Sequence, residues 1–147
     1  MISQKNQYAL RAIFELAKHY GQGPVKISLI AKEQSIPPRF LEAILGQLKQ
    51  AKFVDSIRGS QGGYLLLRPP AELAVGEVLR FLGSPIEPVD CFTSNPKTKC
   101  GLRGHCVFLP MWDKARKALL DVYDNTSFQD LIDSETCKAS GDVSYSI

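Results

Sequence analysis

Residues 35–67, SIPPRFLEAILGQLKQAKFVDSIRGSQGGYLLL, hold two periodicities back to back. Leu41, Ile44, Leu45 and Leu48 recur at i, i+3, i+4 and i+7, the spacing of one helix face, so residues 38 to about 50 read as an amphipathic helix. Pro37-Pro38 breaks whatever precedes it, and the second proline can occupy the first turn, where a missing N–H costs little. The period then shortens. Residues 53–57 and 64–67 read as two strands, joined by Arg58-Gly-Ser-Gln-Gly-Gly63, a turn whose three glycines permit positive φ. Arg68-Pro69-Pro70 stops the second strand.

Upstream, Leu10, Ile13, Phe14 and Ala17 repeat at helical spacing between Lys5 and Tyr20, and Gly21-Gln22-Gly23-Pro24 ends that helix. After an extended Val25-Lys26-Ile27, Ser28 is expected to cap a short helix reaching about Gln34, with Leu29, Ile30 and Ala31 on its apolar side. Helix, short helix, amphipathic helix, hairpin is the order of a winged helix-turn-helix. The fold class expected is therefore mainly α with a small β-hairpin wing (α+β). A small α+β domain without a ligand fits the same order.

Downstream, a short helix is expected at residues 75–82, and residues 83–105 show no periodicity. A strong helix follows from Pro110 to Asp124, about 22 Å long. Trp112, Ala115, Leu119 and Val122 lie on one side of it, broadened by Leu109, Leu120 and Tyr123. Ser127-Phe-Gln-Asp130 has the spacing of a capping arrangement for a last short helix. The long helix can pack on its own domain or pair with a copy of itself. Pairing suits DNA reading, because two recognition helices about 34–36 Å apart enter successive major grooves. The organisation expected is a DNA-binding domain at 1–82, a cysteine-containing loop at 83–106, a dimerisation helix with a short C-terminal helix at 107–135, and a flexible tail at 136–147.

At 147 residues the chain is about one domain, and its 44% hydrophobic and 22% charged content excludes disorder throughout. No run approaches 18 uncharged apolar residues, so no membrane partner is expected. Residues 1–7 lack the apolar core of an export signal, so the expected location is the cytoplasm. Residues 1–70 carry 10 Lys and Arg against 4 Asp and Glu, whereas residues 71–147 carry 8 against 11. A basic front half fits a polyanion-binding module, and equally a solvated surface. Only His19 and His105 are available as histidines, and no nucleophile-elbow, phosphate-loop or metalloprotease motif is present, so no catalytic residue is assigned.

Several segments together carry a resemblance. Tyr8-Ala-Leu-Arg11, Ile30-Ala-Lys-Glu-Gln34, Phe40-Leu-Glu42, Leu48, Ile57-Arg-Gly-Ser-Gln-Gly-Gly-Tyr64 and Arg68-Pro-Pro70 are similar to the Rrf-two family of bacterial winged-helix transcription regulators, over residues 1–131. The resemblance implies double-stranded DNA as partner, an imperfect palindrome as operator, and a homodimer paired through the long helix. It implies that Arg39, Phe40 and Glu42 face the major groove. A carboxylate there can accept from a cytosine amino group and repel other base edges. It implies that Arg58, Gly59 and Ser60 form the wing tip, where an arginine enters a narrow minor groove. Lys5, Lys26 and Lys52 are either phosphate contacts or ordinary surface lysines. Ala43 stands where some relatives place a base-contacting amide, which implies a different target site.

Cys91, Cys100 and Cys106 are separated by eight and five residues, with Cys137 further on. In a reducing compartment such thiols suit ligands, sensors or buried hydrophobes better than structural disulfides. The spacing lacks the close pair of a zinc site, but three thiolates on one loop are what iron–sulfur ligation requires. Lys97, Lys99 and Arg103 would favour thiolates, while Ser94, Asn95, Gly101 and Gly104 would let the loop wrap a cluster. The resemblance, to the iron–sulfur-binding branch, implies Cys91, Cys100 and Cys106 as ligands of a 2Fe–2S or 4Fe–4S cluster. The fourth ligand is missing. One group of relatives has a histidine three positions after the last cysteine, where this chain has Leu109; another uses a carboxylate from the partner's first helix, matching Gln7 here. A redox, nitric-oxide or iron–sulfur sensor follows from that branch. The alternative is a relative without a cluster, using the cysteines as a thiol switch or responding to a partner protein or small molecule.

Overall fold

The computed structural model describes residues 1–93 and 99–141. Its helices are α1 (Gln4–Lys18), α2 (Ile27–Gln34), α3 (Pro38–Gln50), α4 (Val75–Phe81), α5 (Leu109–Asp124) and α6 (Phe128–Ala139), with β1 (Val54–Ile57) and β2 (Gly63–Leu66) between α3 and α4. Single 3-10 turns occur at Pro70–Glu72 and Asp90–Phe92. No helix among the described residues is long and apolar enough to cross a membrane. The fold is the winged helix-turn-helix with an appended long helix that the periodicities predict.

The core forms where α1 and α3 meet. Leu41, Ile44, Leu45 and Leu48, the stripe read from the sequence, are all buried in one core cluster with Ile13 and Leu16 of α1. Ala9 and Ala12 are also fully buried; their small side chains let the two helices approach closely. Each buried leucine or isoleucine removes enough apolar surface to contribute about 1.5–3 kcal/mol. Buried polar groups in this region are satisfied. Glu15 accepts from Gln34 (2.6 Å) and lies 3.1 Å from Lys18 and 3.3 Å from His19. Asn6 donates to Ser84 Oγ at 3.1 Å, tying α1 to the turn after α4.

Helix boundaries differ from the reading in instructive places. Ser28 is not the cap of α2: the helix starts at Ile27, Lys26 occupies the cap position, and no side chain caps it. The cause is tertiary. Val25 exchanges backbone hydrogen bonds with Tyr64 (2.7 and 2.8 Å), which holds the chain extended up to Lys26 and lets the helix begin at once. Ser3 caps α1 by accepting from Asn6 N–H. The Ser127–Asp130 capping box forms as expected, but α6 runs twelve residues to Ala139, past the residue 136 expected to begin the tail. Residues 142–147 lie outside the described ones.

Helix α6 belongs to the head. Phe128 is completely buried within the α1–α3 core, with Leu131 and Ile132 packed against it. The segment entering α6 is stitched to the residues around the start of α4: Val75 N–H donates to Thr126 O (2.9 Å) and Phe128 N–H to Leu73 O (3.1 Å). The C-terminal end of α5 is clamped at the same place. Arg80 of α4 pairs with Asp124 at 2.6 Å, and Gly76 lies so close that a Cβ there would stand 2.1 Å from Asp124 Oδ1.

No residue of α5 is buried. Its expected apolar side divides in two. Trp112, Ala115, Leu120 and Tyr123 are half-buried, while Leu119 and Val122 are exposed together with Phe108, Leu109 and Met111.

Candidate nucleic-acid interface and cysteine loop

The turn between α2 and α3 is set by Ser35, whose left-handed backbone (φ 51°, ψ 49°) ends α2. Ile36 then anchors the chain in the core, and Pro37-Pro38 launches α3. As a result Arg39, Phe40, Glu42 and Ala43 all stand exposed at the N-terminal end of α3 while Leu41 points inward. Arg39 and Glu42 make no ion pair among the described residues. The Arg39 guanidinium lies 4.8 Å from the centroid of the Phe40 ring. An unpaired cation, a carboxylate and an exposed ring on one helix end can address hydrogen-bond donors, acceptors and methyl groups on base edges.

β1 and β2 pair antiparallel from Val54–Leu66 to Ile57–Gly63, and the turn beyond them projects Arg58, Gly59, Ser60 and Gln61 into solvent. Gly59 has φ 111°. The other two glycines answer a different demand. A Cβ on Gly62 would lie 2.0 Å from the Ile57 carbonyl oxygen, and one on Gly63 (φ 154°) would lie 2.3 Å from the Val25 carbonyl oxygen. Both are backbone atoms that cannot swing aside, so the wing is built on close backbone approach. Val25, which pairs with Tyr64 beside this approach, is the wing residue that sequence reading misses; the extended character of Val25-Lys26-Ile27 was its only signal. Lys5, Lys26 and Lys52 are exposed, whereas Lys49 is engaged by Ser56 (2.5 Å) and Asp55 (3.8 Å).

The cysteine segment leaves α4 through buried Ser84 and Ile86. Cys91 sits exposed in the Asp90–Phe92 turn, where Thr93 N–H closes onto Asp90 O. The next residue, Phe92, packs under Arg116 of α5, whose guanidinium is 5.6 Å from the ring centroid. Cys100 is exposed, its carbonyl accepting from Arg103 N–H (3.2 Å). Cys106 is half-buried, and its carbonyl accepts from Leu109 N–H (3.2 Å), so it forms the lead-in to α5. Ser94, Asn95 and Lys97 lie outside the described residues.

All four thiols are free, and no group of three His, Cys, Asp or Glu side chains among the described residues is gathered closely enough to hold a metal ion. By chemistry and accessibility the three loop thiols suit iron–sulfur ligation; by position they stand apart. Gln7 is exposed, donating to Ile2 O (3.2 Å), and Cys137 is exposed on α6.

Comparison with known proteins gives one consistent result. Residues 2–134 match the family Rrf2, described as an iron-dependent transcriptional regulator. The chain is 35% identical over 130 residues to the HTH-type transcriptional regulator CymR of Bacillus subtilis (strain 168), covering 88% of each chain. Among solved structures it is similar to T. potens IscR, with a TM-score of 0.73, 31% identity, and 92% of this chain and 88% of that one covered. It is also similar to the B. subtilis structure described as CymR (YrzC), the global cysteine regulator. There the TM-score is 0.71 and the identity 34%, covering 89% of this chain and 95% of the other.

Proposed function

The chain belongs to the Rrf2 family of transcriptional regulators, and from that premise we propose a homodimeric regulator whose hold on operator DNA is set by Cys91, Cys100 and Cys106, the ligands of an iron–sulfur cluster. DNA binding by the winged head is the family's shared function; the control by thiolates is the finer reading.

The DNA side works through charge and shape. α3 enters the major groove by its N-terminal end, so Arg39 donates to base acceptors, Phe40 offers an apolar face to thymine methyls, and Glu42 rejects edges that cannot donate. Arg58 at the wing tip, carried by Gly59 and Ser60, enters the adjacent minor groove, where a narrow A·T-rich segment concentrates negative potential. The exposed Leu109, Met111, Leu119 and Val122 of α5, with Phe108 just before it, are covered by the same helix of a second copy, which gives two heads for two half-sites.

The observation that carries the control reading is the placement of Cys106 directly at the start of α5, with the other end of α5 fixed to the head at Gly76 and Asp124. Cys91 is joined to the middle of the same helix through Phe92 and Arg116. When bound, an iron–sulfur cluster supplies a redox-active group that oxidants or nitric oxide can remove or modify. The chain's own part is mechanical. Three thiolates that stand apart must move to share one group, and that movement reaches α5 at two points. α5 then changes the spacing of the two heads, and DNA affinity changes by the free-energy difference between the two arrangements.

A second reading is favoured by the separation and exposure of these thiols and by similarity to a relative described as the global cysteine regulator. In it, the cysteines act as a thiol switch without a cluster. Anaerobic purification with visible absorption and iron and sulfide assay separates the two. The cluster reading expects a coloured protein whose absorption is lost in Cys91→Ala, Cys100→Ala and Cys106→Ala. Colourless protein without iron after anaerobic reconstitution, but with DNA binding sensitive to thiol oxidation, selects the second reading.

A further inference from the structure

We infer that Tyr8, on α1, is a positioning residue for base reading: it holds the Phe40 ring, and through that ring the Arg39 guanidinium, at the groove-facing end of α3. This rests on the reading that α3 addresses bases. Four side chains form a continuous stack across two helices. Arg39 lies 4.8 Å from the Phe40 centroid, Phe40 lies 6.5 Å from the Tyr8 centroid at an interplanar angle of 32°, and Arg11 lies 5.7 Å from the Tyr8 centroid. The two aromatic rings are within the range at which offset rings attract.

Phe40 and the two arginines lack another means of being held. Phe40 is 46% exposed and borders a cavity of about 220 Å³ lined by Gln4, Lys5, Tyr8 and Ile44, so close packing does not fix its ring. Its one aromatic neighbour among the described residues is Tyr8. Arg39 and Arg11 have no carboxylate within ion-pair distance among the described residues. A long, flexible guanidinium with no ion pair takes its direction from the aromatic face beneath it. Tyr8 itself is half-buried and packs against the core, so it is the anchored member of the stack. Its hydroxyl has no hydrogen-bond partner among the described residues, which assigns the role to the ring alone.

The test uses the full-length protein and a duplex selected by that protein from a randomised library, with single-base-pair variants of it. Tyr8→Leu is expected to weaken binding to the selected duplex about threefold to fivefold, the size of an exposed cation–π contact. It should flatten base preference at the same positions as Arg39→Ala and leave the salt dependence unchanged, because no phosphate contact is lost. Tyr8→Phe should behave as wild type, and the double variant Tyr8→Leu/Arg39→Ala should bind no worse than Arg39→Ala alone. Should Tyr8→Leu fail to fold by circular dichroism, Tyr8→Met, which removes the ring but keeps an apolar side chain of similar length against the core, gives the same readout. Uniform weakening across all duplexes, additivity with Arg39→Ala, or wild-type preference in Tyr8→Leu overturns the inference while leaving the reading of α3 intact. Unchanged base preference in Arg39→Ala overturns the inference, and unchanged preference in Glu42→Ala as well overturns the reading of α3.

Discussion

Gly76→Ala separates folding from regulation. Gly76 is the second residue of α4, and a Cβ there would meet Asp124 Oδ1 at 2.1 Å, Asp124 Cγ at 3.2 Å and the Tyr123 carbonyl carbon at 3.2 Å. The variant therefore demands two adjustments at the end of α5. The Asp124 carboxylate must rotate away, which breaks its 2.6 Å pair with Arg80, and the Tyr123 backbone must retreat by a few tenths of an ångström. The first change costs little, since exposed ion pairs contribute about 0.2–1 kcal/mol. Alanine is favoured over glycine in a helix by up to about 1 kcal/mol, which offsets it. Net stability thus stays within about 1 kcal/mol of wild type. The second change has a long reach, because α5 extends about 24 Å from this pivot to Leu109, three residues after Cys106. Alterations along such a connection change coupling by about 0.5–2 kcal/mol. The expected result is a nearly unchanged melting curve by circular dichroism. The ratio of operator affinities between thiol-intact and thiol-blocked protein, read by fluorescence anisotropy, should shift by about twofold to thirtyfold. An unchanged ratio in a folded variant would refute the pivot. A large loss of stability would refute the reasoning about the contact.

The other predictions concern the wing, the core and the α4–α5 pair. Gly62→Ala pushes a Cβ against the Ile57 carbonyl at 2.0 Å, and should destabilise the protein by about 2–3 kcal/mol in chemical denaturation, with wing-dependent DNA affinity lost as well. Phe128→Ala empties a fully buried site of the head core and should cost about 3–5 kcal/mol in the same assay; a loss below about 1 kcal/mol would mean that α6 does not support the head. The hydrogen bond from Arg80 holds the Asp124 carboxyl below its ordinary value of 3.8. Its small stabilising contribution is therefore present above pH 3.8 and disappears as pH falls through the depressed value. In Arg80→Ala a carboxyl-carbon NMR titration should show Asp124 rising toward 3.8, and no movement would show that the pair is absent in solution.

Much of this architecture is legible from side-chain spacing, and the exceptions share a cause. α3 announces itself because four apolar residues fall on one face and all four enter the core, and the hairpin because glycines fill a turn that tolerates nothing else. Ser28 misleads because the start of α2 is set by Val25 pairing with Tyr64, thirty-nine positions away, and no local signal reports that pairing. The docking of α6 rests largely on Phe128, a single ring that gives no periodicity before a helix of mixed polarity. The long helix is readable as apolar, but which of its residues face the head depends on α4 contacting its end. The residues of α3 and the turn between β1 and β2 that the resemblance implies for DNA contact are exposed. The cysteines are different. Their identity and spacing are legible, whereas their separation in space depends on loop conformation, which spacing does not encode.

The most direct test of thiolate control is operator affinity measured on one anaerobic preparation of the whole chain, before and after any iron and sulfide are stripped from it by chelation. The same measurement on Cys106→Ala completes it. A change of about fivefold or more on removal, absent in Cys106→Ala, is the result predicted here. Equal affinity in all three samples would contradict it and leave a DNA-binding protein whose cysteines do not govern it.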